Sequence, residues 1–96
     1  MKIGAHVSTA GGISKSIARA AEIGCEAIQI FGSSPQGWAF KPIPESEIES
    51  FRSQAAEARI DSIFLHAIYL INLGTADEAH LERGIQSLVN YMNLAA

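Results

Sequence analysis

Apolar residues fall in three short runs, each followed by a longer stretch where they recur every three or four positions. The first run, KIGAHVS (residues 2–8), closes on Gly11-Gly12 and predicts a strand. Over residues 12–24, Ile13, Ile17, Ala20, Ala21 and Gly24 share one side, with Lys15, Arg19 and Glu22 opposite, which predicts a helix. Gly24 suits its end, because glycine tolerates the left-handed conformation that stops a helix. EAIQIF (26–31) predicts a second strand, and GSSPQGWAFKPIP (32–44) reads as a loop from its glycines and prolines. A second helix is predicted over 44–59. Pro44 fits its first turn, Glu45, Glu47 and Glu49 complement its positive end, and Ile48, Phe51, Ala55 and Ala58 form its apolar face. DSIFLHA (61–67) predicts the third strand. TADE then matches a capping box, with Thr75 as the cap and Glu78 three residues on. The helix it opens carries Leu81, Ile85, Leu88, Val89 and Met92 on one stripe, predicted to face the core.

Strand and helix alternate three times, and the strands are near-continuous apolar runs of the kind found in parallel sheets covered on both faces. That order predicts an α/β architecture, either a doubly wound sheet or a TIM barrel. No GxGxxG or GxxxxGK[ST] is present, and STAGG after the first strand lacks the spacing of a phosphate loop. A complete (β/α)8 barrel takes roughly 250 residues, against 96 here. Read as a barrel it would be a partial one, the first three of eight βα units; on either fold the expectation is that residues 1–96 are the N-terminal part of one larger domain. Unpaired edges on the first and third strands lead us to expect self-association of such a piece.

Composition narrows the class. Hydrophobic residues make up 48% and charged residues 18%, which excludes a disordered chain. The net charge is −3, with 7 basic and 10 acidic residues and no basic cluster, so charge by itself does not predict nucleic-acid binding. Cys25 is the single cysteine; it allows no intrachain disulfide and is expected as a small core residue in a reducing, cytoplasmic setting. No secretory signal and no membrane span are visible.

In α/β folds chemistry gathers at the carboxyl ends of strands. Those ends carry His6, the loop FGSSPQGW and His66. His66 reads either as a strand-end histidine satisfied by backbone or as a metal ligand or general acid/base; neutral imidazole suits zinc. The chain has no HxH, HExxH or local Cys/His cluster, so other ligands would have to come from later strands. His80, in the first turn of the third helix, is expected to be solvated. Tyr69 and Leu70 read either as loop residues folding back on the core or as an exposed wedge beside the site. Trp38 is expected to pack under its loop rather than stack on a ligand.

IGAHVSTAGGISKSIARAAEIGCEAIQIF, PQGW and HAIYLINLG, in this order and spacing, resemble the N-terminal third of endonuclease IV, the zinc-dependent apurinic/apyrimidinic endonuclease family. The resemblance covers essentially all 96 residues. It implies a TIM barrel of the xylose-isomerase-like kind with a trinuclear zinc site, acting on double-stranded DNA 5′ to abasic sites in base excision repair. It also implies a usually monomeric protein. On it, His66 matches a zinc-ligand histidine, and Tyr69 and Leu70 match the wedge that fills the gap left by a flipped-out abasic nucleotide. His6 would support the floor of the site without binding metal. Gln36 stands where the family often has an arginine; it keeps hydrogen bonding and loses the cation and the stacking plane. No catalytic residue is assigned within the chain, which is expected to be inactive alone. The rival expectations are a piece of a sugar isomerase or epimerase on the same scaffold, and a non-catalytic truncated product.

Overall fold

A computed structural model describes all 96 residues, Met1–Ala96. The elements run β1 (Gly4–His6), α1 (Lys15–Glu22), β2 (Ala27–Ile30), α2 (Glu45–Glu57), β3 (Ser62–Leu65) and α3 (Glu78–Ala95). They form one three-stranded sheet in the order β1-β2-β3, with β1 and β2 parallel and Gly4, Ala5 and His6 opposite Ala27, Ile28 and Gln29. Gly4 permits this pairing at its narrowest point: a Cβ there would lie 2.1 Å from the Ala27 carbonyl oxygen.

The chain forms two compact units, Met1–Ile30 with Pro42–Phe64, and Phe31–Lys41 with Leu65–Ala96. In the first, Ile17 and Ala20 of α1, Ile28 and Ile30 of β2, Phe51 and Ala55 of α2, and Ile60 are buried. Both helices stop the same way. Gly24 (φ 77°) follows α1; its N–H reaches the Ala21 carbonyl at 3.1 Å, and that of Cys25 reaches Ala20 at 3.0 Å. Arg59 (φ 57°) follows α2, its N–H reaching Ala56 at 3.2 Å, and Ile60 reaches Ala55 at 2.9 Å. These are Schellman motifs, which satisfy the last carbonyls and turn the chain toward the next strand. Gly24 is the terminator that its sequence position predicts. The start of α1 is held from α2, where a Glu47 carboxylate oxygen accepts from the Ser14 N–H (2.9 Å) and hydroxyl (2.7 Å). These bonds, the hydroxyl's foremost, hold the Glu47 carboxyl below its ordinary value.

Three expectations are corrected here. The strands are not covered on both faces: Ile63 and Phe64 of β3 are exposed, Phe64 to 61%. The cap of α3 is Asp77, whose side chain accepts from the His80 N–H at 2.9 Å, while Thr75 Oγ1 instead accepts from the Asp77 N–H at 3.2 Å. The buried face of α3 is Gly84, Ser87 and Tyr91; Ile85, Val89 and Met92 of the predicted stripe face solvent. Within the second unit, Gly32 packs against α3, where a Cβ would stand 2.6 Å from the Leu94 Cδ2 methyl, and the Tyr91 hydroxyl lies 2.7 Å from that of Ser33. The segment after β2 therefore seats directly on α3. No helix is long and apolar enough to cross a membrane.

Candidate functional site

β3 ends at Leu65, and His66 is the first residue past it, exposed. Its Nδ1 lies 2.6 Å from the Ala67 carbonyl oxygen. A carbonyl can only accept, so Nδ1 carries the proton of this bond. A neutral His66 ring then has its lone pair on Nε2, the form in which imidazole ligates a metal. Phe31, the first residue past β2, stands edge-on to His66 with ring centroids 5.1 Å apart, and edge-on to Tyr69 at 5.4 Å. His66 and Tyr69 are 6.1 Å apart. Three rings thus meet in the edge-to-face arrangement that aromatic quadrupoles favour.

The chain turns immediately after His66. Ile68 is buried as an anchor, the Ile71 N–H reaches back to the Ile68 carbonyl (3.3 Å), and Tyr69 is left 66% exposed. Leu70 is half-buried, so the expected exposed pair is one open ring and one partly covered aliphatic side chain. The Tyr69 N–H donates to the Pro35 carbonyl at 3.1 Å, which binds this turn to the loop that carries Gln36. Gln36 itself is exposed.

His80 overturns its expected solvated role. It is half-buried, its Nε2 lies 2.7 Å from the Leu70 carbonyl oxygen, and its ring stands edge-on to Trp38 at 5.2 Å. Trp38 is half-buried against it, in keeping with a packing role. Phe31 and His80 are the two participants that sequence reasoning missed. The available signals were an aromatic residue directly after a strand, and a histidine three residues after a capping Asp77.

The second unit therefore brings together His66, Tyr69, Leu70 and the Gln36 loop. His6 belongs to the first unit. It ends β1 opposite Gln29 and lines a shallow cleft with Gln29 and Phe64 over the small residues Gly4, Ala5 and Ala27. No group of three or more His, Cys, Asp or Glu side chains is placed to hold a metal ion. Zinc takes three or four protein ligands, so the donor set of this chain does not by itself fit a zinc centre.

Residues 17–96 match the family described as a xylose isomerase-like TIM barrel. A probable endonuclease 4 from Halothermothrix orenii is 39% identical over 88 residues, covering 92% of this chain and 32% of that protein. One from Nitrosopumilus maritimus is 39% identical over 98 residues, covering all of this chain and 35% of its own length. The crystal structure of endonuclease IV from Thermus thermophilus superposes with a TM-score of 0.93 at 32% identity, over 99% of this chain and 36% of that one. The chain thus spans about a third of the length of the relatives it matches.

Proposed function

We propose a function from one premise: this chain belongs to the xylose isomerase-like TIM barrel family, with the endonuclease IV proteins, and its three βα units are a partial barrel of that kind. In our reading it is the N-terminal part of a DNA-repair endonuclease that hydrolyses the phosphodiester 5′ to abasic sites with a zinc cluster. His66 is one zinc ligand. Tyr69 and Leu70, with Gln36 beside them, contact double-stranded DNA at the lesion. The observation that carries the reading is the junction after β3, where a ligand-competent His66 ring packs edge-on against an exposed Tyr69 whose backbone is tied to the Gln36 loop.

The residues present account for recognition rather than for chemistry. An apolar or aromatic side chain can enter between base steps and hold an opened duplex. An abasic nucleotide has neither stacking nor pairing to lose, so extruding it costs less than extruding an intact one. Tyr69 offers the exposed ring for the gap, Leu70 the aliphatic backing, and Gln36 a neutral hydrogen-bonding side chain. Zinc, where bound, supplies a hydroxide nucleophile and charge neutralisation at the phosphate; the other ligands come from outside this chain. On this reading the 96 residues alone are inactive and prone to self-association, and the whole endonuclease would act as a monomer in the cytoplasm. The sugar-isomerase alternative rests on the family description alone, because the named relatives are endonucleases.

Incubation of the chain with zinc and a labelled abasic duplex tests this. The expected result is no incision above background, together with tighter binding to the abasic duplex than to its intact counterpart. Robust metal-dependent incision would overturn the inactivity, and equal binding to both duplexes would overturn the assignment of the wedge.

A further inference from the structure

The turn after β3 and the loop after β2 are both irregular backbone, yet they carry every side chain assigned to DNA. Something must hold them in one geometry, since a wedge that is mobile before binding loses its ordering entropy on entry. The Tyr69 N–H to Pro35 carbonyl bond is one tie between them. A second tie runs through a single side chain. His80 Nε2 meets the Leu70 carbonyl on one side, and its ring meets Trp38, two residues from Gln36, on the other. His80 is fixed in turn, because its own N–H is held by the Asp77 side chain that starts α3. The carbonyl can only accept, so Nε2 is the protonated nitrogen. Along the wedge backbone the two neighbouring residues are each pinned once, Tyr69 through its N–H and Leu70 through its carbonyl.

We propose that His80 is a positioning residue, a latch that fastens the Tyr69–Leu70 turn and the Gln36–Trp38 loop onto the first turn of α3. It presets the edge that enters the duplex without touching DNA itself. What the edge is for rests on the DNA reading above; that the latch exists does not. Long helices are rigid and loops are not, so one side chain at the start of an eighteen-residue helix gives two loops a common reference.

The test begins on the unaltered chain without DNA. Long-range proton–nitrogen spectra should show neutral His80 protonated at Nε2, with slow exchange of that proton. A ring protonated at Nδ1 would overturn the latch whatever any variant does. Hydrogen exchange then compares His80→Gln, which keeps a donor at the reach of Nε2, with His80→Phe, which keeps a ring against Trp38 and loses the donor. Amides from Tyr69 to Leu73 should exchange about tenfold faster in His80→Phe, the factor expected for one lost hydrogen bond, and at nearly the original rate in His80→Gln. The Ser14 amide, held by Glu47 in the other unit, should be unchanged in both. Unchanged loop exchange in His80→Phe overturns the proposal. Binding to a duplex with an abasic analogue separates the two readings. Selective weakening in His80→Phe with rescue by His80→Gln supports latch and wedge together. An original chain that does not distinguish abasic from intact duplex sinks the DNA reading, while the exchange result still decides the latch.

Discussion

Arg59 carries the least favourable backbone in the chain. It is the sole residue other than glycine with positive φ, at 57°. Left-handed backbone costs a residue with a Cβ about 1–2 kcal/mol. The cost is tolerated because the turn lets Ile60 follow α2 into the core, 2% exposed, and leads the chain into β3. Arg59 itself is exposed, and nothing in the structure ties its charge to that task. Replacing it by glycine relieves the strain while adding unfolded-state entropy. The expected outcome for Arg59→Gly is a net gain of about 0.5–1 kcal/mol in urea unfolding, with Arg59→Asn smaller and of the same sign. Destabilisation by either variant would show that the guanidinium makes a contact worth more than the strain. His66 could be placed at a strand end from the apolar run before it, and Tyr69 in the turn beyond. The edge-on ring of Phe31 could not, because nothing local in a sequence says which ring from a different βα unit will stand beside a histidine.

At the scale of elements, α1 begins on a side chain of α2. The folded pKa of Glu47 lies below its ordinary value, chiefly through the Ser14 hydroxyl. The stabilisation is therefore fully present above the unfolded value and is lost as pH falls through the folded one. Glu47→Gln keeps an acceptor oxygen but does not titrate. Between about pH 5 and pH 3 the melting temperature of the original chain should fall more steeply than that of Glu47→Gln, the two curves converging at the acid end. Asp61, whose carboxyl is also lowered by Lys2 and then Ser62, titrates alike in both and cancels from the comparison. Parallel curves would mean that the Glu47 bonds contribute nothing to folding. Element order, the ending of α1 and the α2 face were readable because they follow from local periodicity and from Gly24. The α3 face was not. Periodicity marks the most apolar stripe, Ile85 with Val89 and Met92, but the buried face is Gly84, Ser87 and Tyr91, with Tyr91 bonded to Ser33 in the segment after β2 and Gly84 beside Ile71 after β3. Glycine and serine carry little hydrophobic signal, so periodicity does not mark that face. The capping box failed for a similar reason: Thr75 and Asp77 are both good caps, and residue spacing alone cannot choose between them.

For the whole molecule the governing fact is proportion. About a third of the length of its relatives supplies three βα units, and of the histidines only His66 is assigned to the metal. A metal that binds only the folded state stabilises it by RT ln(1 + [L]/Kd), so thermal shifts report site completeness without any assay of activity. One imidazole offers a single bond where zinc takes three or four. Zinc at about 0.1 mM should therefore move the melting temperature of this chain by less than ~1 °C, and titration should reach no fixed ratio. Chelation should leave the transition where it was. In a longer protein that carries the remaining strands, the same zinc should saturate at a fixed ratio and raise the transition by several degrees, and chelation should reverse it. His66→Ala there should lower metal affinity by roughly 10–100-fold or more, on the scale seen when groups supporting a metal site are lost. Saturable binding by the 96 residues alone, at a whole-number ratio and with a rise of several degrees, would mean that this chain assembles a metal centre of its own, by self-association or by a rearrangement of its histidines, and the assignment of His66 as one ligand among many would have to be withdrawn.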